Sequence, residues 1–227
     1  MSIAKFPAAL ALLLAATMWS SVPAGAAEQA GRSWIDGYVQ NFFEGDFLPS
    51  RHSTRRSAGV YLETKTTLTG HLLPGLDLVW HVISEPVTGV AEGETRIFGD
   101  MGIFTRRLYL SYEHSLGGIG PASLVARVFA GKFTLAFGRA WDIAPGIYGD
   151  FFSSDTYEYD QRVGFGGALD VRGGVFGDQT LQASVFFLDT SALSNSLVTP
   201  RGRNRLSDGG VSNTERLNSF ALSWTGK

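Results

Sequence analysis

Side chains able to do chemistry are sparse in this sequence and poorly grouped. The four histidines, His52, His71, His81 and His114, lack the close spacing of a metal centre, and cysteine is absent, so no metal site is expected. Ser111 with His81 could be drawn as a nucleophile and its base. No third residue to orient the histidine is evident, and an enzyme is not expected. The glycine-rich stretches at 164–167 and 173–177 do not sit between a strand and a helix, so they do not read as phosphate loops, and no cofactor is expected. Two arginine clusters, Arg51, Arg55, Arg56 and Arg201, Arg203, Arg205, read either as solvated loop charges or as a surface for anionic head groups and solutes.

The elements that must carry these residues are strands. Residues 59 to 70 alternate Val60, Leu62, Thr64, Thr66 and Leu68 with Tyr61, Glu63, Lys65, Thr67 and Thr69, so one face suits lipid and the other water. The split recurs at 76 to 84, where Leu76, Leu78, Trp80 and Val82 oppose Asp77 and His81. It recurs again at 104 to 114, where Leu108, Leu110 and Tyr112 oppose Arg107, Ser111 and Glu113. At 123 to 139 the apolar face is Phe129, Phe133, Leu135 and Phe137, with Arg127 out of place on it and Gly131 as a site for a bulge. Strands are also expected at 161 to 172, 180 to 189 and 216 to 226, with a less regular first strand at 34 to 43. Phe133, Leu135, Val163, Phe165 and Leu222 are expected to contact acyl chains.

About eight strands of roughly ten residues result, the length that a tilted strand needs to cross a hydrocarbon layer. Long and short connections alternate between them: 44–58 is long, 71–75 short, 85–103 long, 115–122 short, 140–160 long, 173–179 short and 190–215 long. Leu73-Pro74-Gly75, Gly117-Gly118-Ile119-Gly120-Pro121 and Gly173-Gly174 mark the tight ends. The expected fold class is all-β, an antiparallel up-and-down transmembrane β-barrel with short periplasmic turns and longer external loops. Arg55 and Arg203 would then lie outside the cell and Gly118 would face the periplasm.

The chain's beginning agrees with that compartment. Lys5, an apolar run from Ala8 to Ala16 and the small stretch Ala24-Gly25-Ala26-Ala27 follow the order of a secretory signal peptide. Residues 1–27 are expected to be removed, with cleavage near Ala26 or Ala27, leaving a β-barrel domain over 28–227 in the outer membrane of a Gram-negative bacterium. No segment reaches the roughly 20 apolar residues of a spanning helix, so membrane contact must be peripheral or through a closed barrel. A formal charge of -2 offers no footprint for nucleic acid. The 28 glycines and 16 phenylalanines suit bent sheets with aromatic anchors.

The stretch GKFTLAFGR at 131 to 139, followed by AWDIAPGIYGDFFSSDTYEYD at 140 to 160, resembles Gram-negative porins. In that family a strand ending in a Gly-Arg step commonly leads into the third external loop, which folds into the barrel and sets carboxylates opposite basic wall residues. The resemblance implies constriction acids at Asp142, Asp150, Asp155, Glu158 and Asp160, and basic wall residues at Lys65, Lys132, Arg139 and Arg162, selecting solutes by charge at close quarters. It implies passive diffusion of small hydrophilic solutes, contact with outer-membrane lipid and lipopolysaccharide, and a homotrimer. The sequence departs from the family in two ways. An eight-stranded barrel has a filled interior, whereas porins have about 16 to 18 strands, and the chain ends at Trp224-Thr225-Gly226-Lys227 without a terminal aromatic. The chain is therefore expected to be the N-terminal part of a longer porin, or else a small closed barrel serving as an anchor or surface-interaction protein. An exported soluble β-protein with a ligand in its mouth is the more distant alternative.

Overall fold

The computed structural model describes residues 33–49, 56–137, 159–210 and 212–226, and these form one antiparallel sheet. Its strands in chain order are β1 (Ile35–Pro49), β2 (Arg56–Leu73), β3 (Leu76–Pro86), β4 (Thr95–Ile97), β5 (Met101–Ile119), β6 (Ala122–Phe133), β7 (Arg162–Gly174), β8 (Gly177–Leu188), β9 (Leu197–Val198) and β10 (Ser219–Gly226). Eight of them run up and down in the order β1-β2-β3-β5-β6-β7-β8-β10, each hydrogen-bonded to its neighbour in that order. The short β4 pairs parallel to β2, and β9 pairs antiparallel to β5. Among the described residues β1 and β10 are not paired with each other, so the sheet is open. No helix among them is long and apolar enough to cross a membrane, which leaves crossing by strands untouched.

The eight long strands coincide with the eight periodic segments of the sequence. Two-residue turns at Pro74-Gly75, Gly120-Pro121 and Val175-Phe176 close one end of the sheet, and the longer links lie at the other. The link expected over 44–58 is shorter than the sequence suggests, because the β1–β2 ladder continues to Pro49 opposite Arg56. Glu44, Gly45 and Asp46 pair with Tyr61, Val60 and Gly59 there, and no hydrophobic period announces a strand with polar residues on both sides.

One face of the sheet, termed outer, is apolar and open: Leu62, Trp80, Leu110, Val128, Phe165, Leu181 and Phe220 are all exposed on successive strands. On β10 the alternation is strict, with Phe220, Leu222 and Trp224 exposed and Ser219, Ala221 and Ser223 half-buried.

The inner face differs from expectation in its second half. Phe129 and Arg127 share a face by parity, and the register sets them opposite Ser111 and Glu113, on the polar side. Arg127 is therefore in place, 3.8 Å from Asp170. It is the phenylalanines that face inward. Phe129, Phe133, Leu135 and Phe186 form a buried cluster with Tyr109, Tyr159 and Ala221 against it, so Phe133 and Leu135 do not face outward as the lipid assignment required. The small inner residues of β7 and β8 make room for these rings: a Cβ on Gly166 would sit 2.5 Å from the tip of Phe129 and 2.6 Å from the Ala183 carbonyl oxygen. No register shift occurs at Gly131, but its φ of 137° is open only to glycine. Strict alternation ends there, and the next two side chains, Lys132 and Phe133, are both buried.

Candidate functional site

Charged side chains gather on the inner face of β2, β3 and β5. Their arrangement begins with a bulge. His81 pairs with Arg107 and Val82 with Thr105, so Arg106 is one residue too many for β3 and two consecutive arginines reach the same face. Arg106 forks between Glu85, through Nη2 at 2.8 Å, and Asp160, through Nη1 at 2.8 Å. The Thr134 hydroxyl donates to the other oxygen of Asp160 and accepts from Arg107 Nε at 3.1 Å. Next to this group Lys65 lies 2.7 Å from Glu63 and 4.9 Å above the Phe42 ring, while His81 Nδ1 is hydrogen-bonded to the Thr67 hydroxyl at 2.8 Å. The group is a network of paired charges of alternating sign on one face of the sheet.

Beside it, the link over 87–100 folds back on β2. Arg96 holds Glu94 with two 2.8 Å bonds and donates to the Thr88 carbonyl at 2.8 Å, and the guanidinium keeps the Glu94 carboxyl below its ordinary range. Under this link is a cavity of about 200 Å³ lined by Tyr61, Glu63, Glu85, Arg96 and neighbouring glycines.

The expected site residues are distributed unevenly. Asp160 joins the arginine fork, and Lys65 lies on the same wall. Arg162 begins β7 and stacks 5.9 Å over Tyr159. Lys132 has a different setting from the one implied for it: its side chain is 1% exposed, ion-paired at 2.8 Å with an equally buried Asp189, and it donates to the Leu193 carbonyl at 2.7 Å. Arg139, Asp142, Asp150, Asp155 and Glu158 lie outside the described residues. Arg51 and Arg55 do too, whereas Arg201 packs over Phe104 and Arg203 and Arg205 are exposed. His81 stands opposite Arg107 and Ser111 opposite Asp77, four positions along the strand, so the drawn Ser–His pair is not formed.

Glu85, Arg106 and Asp189 were missed by sequence reasoning. The adjacent Arg106-Arg107 was the available signal, because strict alternation would send one of two arginines into the apolar face. Among the described residues no group of three or more histidine or acidic side chains is placed to hold a metal ion. Comparison of the chain with protein-family models, curated proteins and solved structures returns no match.

Proposed function

We propose that this chain forms wall of an outer-membrane, porin-type channel that lets small hydrophilic solutes diffuse passively. The observation that carries the reading is the two-faced sheet. Exposed apolar side chains cross the outer face on successive up-and-down strands, while the inner face carries the Glu85–Arg106–Asp160 cluster. A soluble protein rarely exposes so wide an apolar surface, and lipid is the solvent that suits it. The export signal and the lopsided loop lengths support the same compartment. Lipopolysaccharide and outer-membrane lipid are the surroundings this reading implies, with a homotrimer as the family's habit.

The second reading, a small closed barrel acting as an anchor or interaction protein, draws on the Phe129–Phe133–Phe186 cluster, since a filled interior is what eight strands give. Conductance separates them. The full chain, refolded and added to a planar bilayer, should give discrete current steps in potassium chloride. Insertion into vesicles without any step would end the channel reading and favour the anchor.

A further inference from the structure

The segment 189–205 is built unlike a solvated loop. Past the end of β6 its Leu197 and Val198 pair with Ile103 and Gly102 of β5, and Ser196 lies so close that a Cβ on Gly102 would be 3.1 Å from its own. The Arg201 guanidinium lies 4.9 Å above the Phe104 ring, and Phe104 is 2% exposed. Phe104 pairs with Ile83 on the face that carries Glu85 and Arg106, so the segment covers the wall beside the charged cluster. Inside the segment the Arg201 amide donates to Ser196 Oγ at 2.7 Å, the Gly202 amide to Asn195 Oδ1 at 2.7 Å and the Asn204 amide to Ser194 Oγ at 3.1 Å.

One strand residue pins it. Lys132 reaches from the end of β6 to the Asp189 carboxylate and the Leu193 carbonyl, and Asn204 Nδ2 closes the far side on the Asp189 carbonyl at 3.1 Å. Burying both charges costs desolvation that cancels much of their attraction, so such a pair is better explained as a fixed geometry than as a large source of stability.

We infer that Lys132 is a positioning residue that locks 189–205 against β5, and that the locked segment, carrying Arg201 over Phe104 of the inner face, narrows the aqueous path and favours anions in it. The inference rests on the porin-type reading and assigns the narrowing to this segment of the chain.

The test uses the full refolded chain with Lys132→Met and Arg201→Gln, read by hydrogen exchange and by single-channel recording. In Lys132→Met, amides over 193–204 should exchange at least about tenfold faster while those of β2 and β3 keep their protection, and single-channel conductance should rise. Arg201→Gln, which also gives up the guanidinium bond to the Ser194 carbonyl at 3.0 Å, should lower the chloride-to-potassium permeability ratio. If Lys132→Met does not fold, Asp189→Asn serves: it keeps an acceptor for the Ser191 amide, 2.9 Å away, and replaces the oxygen that faces Lys132 by an NH2 donor, which breaks the ion pair. Unchanged exchange overturns the lock. Faster exchange with unchanged conductance, or an unchanged permeability ratio in Arg201→Gln, overturns the narrowing. A wild-type chain that inserts without conducting overturns the channel reading and the narrowing with it, whereas the exchange result still judges the lock.

Discussion

The inner face of the sheet is two environments. From β2 to β5 it is a largely polar face where Lys65, His81, Arg106 and Arg107 keep polar partners within reach. From β6 to β8 it is a covered core in which Phe129, Phe133 and Phe186 pack together, and at its edge the ionic residues Lys132 and Asp189 are sealed from water. The strand pattern is alike in both halves. The difference comes from what lies over them: Tyr159 packs on the phenylalanines of the second half, and the 189–205 segment, which lies against β5, seals Lys132 with Asp189 at the end of β6. An alternating strand therefore specifies which residues share a face, and the connections decide whether that face is wall or core.

The sharpest way to break this comparison is to cut into the covered half. Phe186 is 2% exposed among Phe129, Phe133 and Leu135, so Phe186→Ala leaves a cavity and should cost about 3–5 kcal/mol. Urea unfolding from lipid vesicles, followed by tryptophan fluorescence, measures it. A loss under about 1 kcal/mol, as a surface change gives, would mean that this half is no better packed than the wall.

A smaller effect is expected at the fork. Arg106→Gln removes the cation between Glu85 and Asp160, leaving two half-buried carboxylates facing each other's field, and should cost about 1–3 kcal/mol. Glu85→Gln in the same chain should recover part of that loss, since one of the uncompensated charges goes with it. Additive losses in the double variant would show that the three residues do not act together.

The sequence made much of this arrangement legible, and the parts it hid share a cause. Leu62, Leu78, Trp80, Phe165 and Leu222 were placed on the outer face from period two alone, because a residue's parity survives any error in strand ends. Phe133 and Leu135 were misplaced because apolar side chains suit lipid and core equally, and only the pairing of Phe129 with Ser111 tells which side they take. Lys132 looked like wall for a related reason: its partner Asp189 lies 57 residues on, past the end of a strand, where no local pattern links the two. The fork needed the bulge at Arg106, a single extra residue that breaks parity.

Acid should act on the covered half through Asp189. Burial works against its charge, but the Lys132 ammonium and the Ser191 amide outweigh that and hold its carboxyl below the ordinary value. A depressed carboxyl contributes stability that is present above the unfolded value, about 3.9, and lost as pH falls through the folded one. Exchange over 193–204, corrected for the intrinsic rate, should stay slow from neutral pH to about 4 and speed up below it. Asp189→Asn should lack that acid step. An acid step that persists in Asp189→Asn would assign it to another group.

The smallest effect belongs to the wall. Lys65 and Glu63 are 2.7 Å apart with side chains 29% and 13% exposed, so water reaches the pair and screens it, and holding a long lysine in one geometry costs rotamer entropy. Lys65 also covers the Phe42 ring at 4.9 Å, a contact whose apolar part a methionine keeps. Lys65→Met should thus cost no more than about 1 kcal/mol at low salt, and the difference from wild type should shrink as salt is raised, because added ions screen exposed charges first. The same urea titration at two salt concentrations reads it. A loss as large as that of Phe186→Ala, and insensitive to salt, would mean that Lys65 is sealed as Lys132 is, and the two halves of the inner face would have to be treated as one.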